Sequence, residues 1–351
     1  MKVIHIIPDS AVNPRHLYLG STKEIRCRTE YFKTQGIAFD ELIVEHRSDA
    51  FLLENLQNLE LGQYSAAFFE YPIYPKSLNF LRRKYPHLRL LTRSHNADFY
   101  HSLHYVFASL KSSNYGKIPL YLAISLINLR LDYLCARRSD FILSITEWEK
   151  NNYWKYFTKL SKIVTVPYFL PSSYSEGIPL QLEKKAQCVC LMSTAQGFLP
   201  FLIDAARGFS KSVEKLEDQC PEWGFCITGD FPENLIKLPE RVKRTGFLET
   251  PLRILAESRA IALLSDYGMG FKTKLLDAIY YKCYVLVTRK LYQRLPVEVQ
   301  PYCIVVDINS SSSFKDALER CLEPYPEGNP NEVLRSQAFA ALDRIIFGRV
   351  Q

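Results

Sequence analysis

Apolar residues fall into short runs separated by longer stretches with helical spacing. Residues 2–7 form the first run, and 39–44, 66–69, 88–92, 141–144 and 163–166 repeat it. Each has the length of a buried strand. Residues 20–35 read as a helix stopped by Gly36. The alternation pauses in a proline- and serine-rich stretch at 171–179 and then restarts, with strands expected at 188–192, 225–228, 242–246, 260–264, 284–287 and 303–306. Strands alternating with helices predict parallel sheets covered by helices. At 351 residues, two domains are the natural division. The expected class is therefore α/β, with two doubly wound, Rossmann-like domains facing a central cleft. The expected boundaries are 1–172, a linker over 173–187, 188–330, and a terminal helical segment over 331–351 that crosses back to the first domain.

Composition is that of a globular chain, 47% hydrophobic and 23% charged. A formal net charge of +7 sets up a mild positive field, favouring anionic ligands or an anionic membrane surface. The basic residues are dispersed among acidic ones, which argues against nucleic acid as a partner. The first residues read as a strand and not as a signal peptide. The apolar stretch at 118–129 ends at Arg130 and reads as too short to span a bilayer. Nine cysteines show no metal-ligand spacing; Cys188 and Cys190 sit in an apolar run that reads as a strand. This usage suggests reduced thiols and a cytoplasmic location. No metal site and no cofactor are expected.

The strongest chemical signal is Gly268-Met-Gly-Phe-Lys-Thr-Lys-Leu-Leu-Asp277, between two expected strands. It reads as a glycine loop followed by a helix whose first turn carries Lys272 and Lys274. Free N–H groups and the positive end of a helix favour an anion. Lysines there add positive charge to a positive end, an arrangement that a bound diphosphate would neutralise. A helix carrying two solvated lysines is the alternative reading.

The run, continued through Ala278, resembles the G-x-G-x-K-x-K-x-x-E-A pattern of GT-B glycosyltransferases, specifically glycosyltransferase family 4. Residues 227–230 (Ile-Thr-Gly-Asp) and 244–247 (Arg-Thr-Gly-Phe) resemble the elements that precede this pattern in the family. The resemblance implies that Lys272 and Lys274 approach the donor diphosphate, with Gly268, Gly270 and Phe271 forming the loop around it. It implies that Asp277 stands where a Glu accepts hydrogen bonds from the ribose, and that Gly246 and Phe247 line the base pocket. Three positions depart from the pattern. Met269 replaces a carboxylate that touches the donor sugar, Asp277 is one methylene shorter than Glu, and a glycine is missing around Lys282–Cys283.

Arg93-Ser-His-Asn96, after an expected strand, resembles the family's R-x-H-N segment. The resemblance implies a catalytic-site role for His95, with Arg93 and Asn96 beside the donor; a structural histidine is the alternative. Gly20, Ser21 and Arg26 follow the first strand and resemble the loop that faces the diphosphate across the cleft. A plain helix N-terminus capped by Ser21 or Thr22 accounts for them equally. The stretch from Phe99 to Arg138 mixes aromatic, basic and apolar residues. It reads as a helix buried against the first sheet, with a peripheral contact at the inner face of a membrane as the alternative.

The expected activity is transfer of a sugar from a nucleotide-diphosphate donor to a glycan or lipid-linked saccharide in bacterial polysaccharide biosynthesis. The resemblance implies a retaining reaction without a metal, with His95, Lys272 and Lys274 at the reacting centre. A catalytically weakened protein that binds a nucleotide or a partner, and a sugar-nucleotide epimerase, are the rival readings.

Overall fold

The computed structural model describes residues 1–111, 115–174, 186–192, 200–216, 219–229, 236–265 and 270–348. The first half holds strands β1 (Lys2–Pro8), β2 (Ala38–Val44), β3 (Ala66–Phe69), β4 (Arg89–Arg93), β5 (Phe141–Ser144) and β6 (Ile163–Thr165). Its helices are α1 (Gly20–Thr34), α2 (Asp49–Gln57), α3 (Pro75–Lys84), α4 (Asp98–Lys111), α5 (Ile118–Arg138) and α6 (Glu147–Asn152). The second half holds β7 (Ala186–Leu191), β8 (Gly224–Thr228), β9 (Val242–Gly246), β10 (Ser258–Leu263), β11 (Tyr284–Val287) and β12 (Cys303–Val305). Its helices are α7 (Pro200–Leu216), α8 (Leu252–Glu257), α9 (Lys274–Tyr280), α10 (Arg289–Tyr292), α11 (Ser311–Arg320) and α12 (Pro330–Phe347).

The strands form two parallel sheets, ordered β2-β1-β3-β4-β5-β6 and β12-β11-β10-β7-β8-β9. Period-two alternation decides which side chains face which helix layer. In the first sheet Ile4, Ile6, Ala67 and Phe69 join an outer core with α2 and α3, whereas Val3 and Phe68 face inward. In the second sheet Val189, Leu191, Ala260 and Ala262 face an outer core, and Cys190, Ile261 and Val285 face inward. The inward faces of both sheets belong to one continuous apolar cluster. The two domains are thus joined through shared core as well as through the chain connection.

Helix α12 packs on the first domain. Its Asp343 accepts from the Tyr31 hydroxyl at 2.8 Å, its Arg335 pairs with Glu30 at 2.9 Å, and its Asn331 accepts from the Leu170 N–H at 2.6 Å. Strand β7 already begins at Ala186, inside the stretch read as linker; residues 175–185 lie outside the described residues.

Two readings of the stretch from Phe99 to Arg138 are corrected. The apolar stretch that ends at Arg130, read as too short to span a bilayer, lies in a longer helix: α5 runs to Arg138, and the helical stretch Tyr115–Arg138 is long and apolar enough to cross a membrane. Nor is the helix buried against the first sheet: only 17% of its most apolar window is covered. It packs chiefly on α4 and also touches α3 and β4; Ser125 and Asp132 are buried, while Leu126 (64% exposed) and Ile127 (58%) face outward.

Candidate active site

In doubly wound sheets ligands sit beyond the carboxyl ends of the strands, where strand order reverses. In the second sheet that point lies between β7 and β10. A cavity of about 310 Å³ opens there, lined by Met192, Leu263 and Ser265, by Phe271 to Lys274, and across the cleft by Leu19, Gly20 and Ser21. Lys272 and Lys274 therefore face the start of α1. Lys272 precedes the regular helix, which starts at Lys274, but its carbonyl accepts from the Leu275 N–H at 2.8 Å, so the first turn opens there. Burial lowers the Lys272 ammonium to about 8, with Arg294 adding repulsion. Burial likewise lowers Lys274 to about 7, helped by Lys23. Two lysines whose ammonium groups are disfavoured by desolvation and by neighbouring cations form a site that an anion would stabilise.

Close approach of the domains at this point requires glycine twice. Gly270 has φ +94°, and a Cβ on it would overlap the Asn96 Oδ1 and lie 3.2 Å from its Cγ. A Cβ on Gly20 would overlap the hydroxyl of Thr273, the residue between the two lysines. Gly268 and Met269 lie outside the described residues.

Asp277 is buried in α9 and forms an ion pair across the cleft with Lys23 of α1. Three lysines and one carboxylate thus converge from two domains. The glycine missing near Lys282 has a local consequence. Lys282 takes the left-handed conformation, φ +56°, as the second residue beyond α9, after the cap residue Tyr281. Its N–H donates to Ile279 at 2.9 Å and the Cys283 N–H donates to Ala278 at 2.9 Å, a Schellman ending.

His95 follows β4 and its side chain is 9% exposed. Its Nε2 lies 3.0 Å from Glu70 Oε2, while its ring stacks on Tyr71 with centroids 4.2 Å apart. The Arg47 guanidinium covers Tyr71 at 4.2 Å. Beneath them is a buried charge network. Glu70 also accepts from His5 Nε2 at 2.6 Å and from Arg28 Nε at 2.9 Å, and Glu24 pairs with Arg28 and Arg93. Burial by itself would raise the Glu24 carboxyl, but Arg28 and Arg93 outweigh that and hold it at about 2. Arg28, with the His5 and His95 hydrogen bonds, likewise holds Glu70 well below the usual carboxylate range against the opposing effect of burial.

Glu24, Glu70 and His95 bring ligand-type atoms within 4.8 Å of one another. They do not fit a divalent cation, because the two carboxylates are already matched by the two guanidiniums. A dipositive ion would be repelled by the Arg28 and Arg93 guanidiniums. The arrangement orients His95 instead, with Glu70 available to accept from a protonated Nε2.

Arg93 does not reach the cleft. It is fully buried, and its guanidinium donates to Glu24 and to the carbonyls of Ser144 (3.0 Å) and Val166 (2.7 Å). Arg26 also points away, donating to Glu41 and the Ala11 carbonyl. Gly246 ends β9, and Phe247 beyond it is 54% exposed; neither lines the cavity. Asn96, Gly20, Ser21, Gly270, Phe271, Lys272 and Lys274 are brought together. Sequence reading missed Lys23, Glu24, Arg28, Arg47, Glu70 and Tyr71. One signal was present: Lys23, Glu24 and Arg28 are charged positions interspersed with the apolar residues Ile25, Cys27, Tyr31 and Phe32 of α1.

Two facing Rossmann-like domains with a cavity at the switch point define the GT-B fold, and solved structures of that fold align along almost the whole chain. HepE from Anabaena, solved with UDP and glucose, aligns at TM-score 0.56 and 13% identity, covering 99% of this chain and 95% of that one. The apo lipopolysaccharide outer core galactosyltransferase WaaB aligns at 0.56 and 14%, covering 100% of each. A putative UDP-N-acetylglucosamine 2-epimerase from Listeria monocytogenes aligns at 0.57 and 10%, covering 99% and 97%. No family model and no curated protein sequence matches the chain.

Proposed function

We propose that this protein is a glycosyltransferase that moves a sugar from a nucleotide-diphosphate donor to a glycan or lipid-linked acceptor. The observation that carries the reading is the pair Lys272 and Lys274, half-buried against the start of α1 in a cleft between two Rossmann-like domains. The acceptor hydroxyl oxygen forms a bond to the anomeric carbon as the bond from that carbon to the diphosphate breaks. The hydroxyl proton passes to the departing phosphate, on the same face, so configuration is retained. Lys272 and Lys274 stabilise the charge that develops on the leaving group, a contribution of the order of 10²–10³ in rate per group. His95, held by Glu70 and Tyr71, contacts the sugar where transfer occurs. No metal takes part in this scheme. Turnover measured over a panel of nucleotide sugars tests it. His95→Ala and Lys274→Ala should each lose most turnover while the fold survives, as read by circular dichroism, and near-normal rates in both would refute the assignment.

Two other readings have an observation each in their favour. The Lys23–Asp277 ion pair occupies the carboxylate expected to meet the ribose, which favours a weakened, binding-only protein. Binding without turnover on every donor would support it. The alignment with a putative epimerase favours epimerisation. Formation of an epimerised nucleotide sugar without acceptor would support that.

A further inference from the structure

Helices α4 and α5 form a hairpin that packs on α3, β4 and α7 yet leaves an apolar side uncovered. Phe107 and Leu110 in the last turn of α4, and Leu120, Leu126 and Ile127 in the first half of α5, are between 47% and 64% exposed. They form a contiguous apolar end, of the kind that marks an interaction site. Beyond Asp98, the first residue of α4, and the buried Asp132, the hairpin's own charges are of one sign. Between residues 99 and 138 the chain has a single acidic residue, Asp132, against 37 in the whole sequence. Asp132 is buried and bonded to Tyr153. The charged groups that reach solvent there include Lys117, Arg130 and Arg137.

From this geometry we infer that the α4–α5 hairpin docks on an anionic lipid surface, apolar end first, with Arg130 and Arg137 at head-group level. Ten residues separate Leu120 from Arg130, roughly 15 Å along a helix, which suits shallow oblique insertion. A full crossing does not fit. Arg130 would lie inside the hydrocarbon, and the opposite side of α5 carries Ser125 and Asp132 turned into the protein. A second copy of the chain fits less well than a membrane, since a two-fold interface would set this all-cationic surface against itself. Helix α4 begins at Asp98, two residues after Asn96, so a docked hairpin holds the cleft close to the lipid surface. The surface is independent of which reaction the cleft performs.

Flotation of the full-length protein with vesicles tests this, using phosphatidylcholine alone and phosphatidylcholine with about a third phosphatidylglycerol. The wild type should float with the anionic vesicles and stay behind with the neutral ones at moderate salt. The Leu126→Asp/Ile127→Asp and Arg130→Glu/Arg137→Glu variants should each lower the bound fraction at least tenfold. Unchanged melting temperatures and UDP binding in those variants would show that fold and cleft survive. Wild type left unbound by anionic vesicles overturns the proposal, as do variants that bind equally well. A stable dimer that Leu126→Asp dissociates would assign the surface to a second copy and overturn it too.

Discussion

Binding of UDP-glucose should draw about one proton per ligand from solution at pH 7.5. In the empty cavity Lys274 sits at about 7 and Lys272 at about 8. At pH 7.5 the first is then about one quarter protonated and the second about three quarters. A diphosphate between them returns both to full protonation, so uptake is close to one proton, and close to two at pH 9. By linkage the affinity falls about tenfold per pH unit near pH 7.5, and more steeply above pH 8. A sugar ester of the diphosphate has no titrating phosphate of its own in this range, which leaves the lysines as the source. Calorimetry in buffers of different ionisation enthalpy reads the uptake directly, and affinity against pH reads it independently. Lys274→Ala should reduce uptake at pH 7.5 to about a quarter of a proton, the remaining deficit of Lys272. Uptake near zero at both pH 7.5 and pH 9, with UDP-glucose bound, would refute the placement of these lysines against the diphosphate. The sign for stability is opposite. The unfolded chain keeps these lysines protonated up to about 10.5, so their burial destabilises the ligand-free fold in full below pH 7 and progressively less as pH rises from there.

Three further outcomes follow from the same residues. Gly20→Ala should cost about 1–3 kcal/mol and weaken UDP binding, because its Cβ meets the Thr273 hydroxyl; adding Thr273→Ala should restore much of both, as read by thermal melts. Lys23→Met should destabilise by less than the ~3–5 kcal/mol of an isolated buried charge, because Lys274 still faces Asp277, and Lys23→Met/Asp277→Leu should recover most of that loss in a denaturant-melt double-mutant cycle. Glu24 is held at about 2, below its unfolded value near 4.5, so it contributes stability above pH 4.5 that is lost as pH falls toward 2. Glu24→Gln should flatten the fall in stability over that window, measured by chemical denaturation at a series of pH values.

The alternation of apolar runs and helical stretches was enough to define two parallel, doubly wound sheets, because a strand buried on both faces and an amphipathic helix each carry their own period. The glycines and lysines of 268–277 were legible for a related reason. A tight turn and an anion site demand particular residue types at fixed spacing along one stretch of chain. Arg93 shows where such reasoning stops. Its motif is intact, yet its guanidinium turns inward to Glu24 and two carbonyls, since the end of β4 meets α1, β5 and β6 only after folding. Glu70 carries no local signature, and the position of Lys23 on α1 says nothing of its partner. They matter because residues 25 to 254 positions away share their hydrogen bonds. Helix α5 is the reverse case: its sequence favours burial, and only the tertiary packing shows that α4 covers one side and leaves the other to solvent. Local periodicity fixes what each segment becomes, and the side chains that make a site belong to segments distant in sequence. Their meeting is therefore decided by the packing of the two domains.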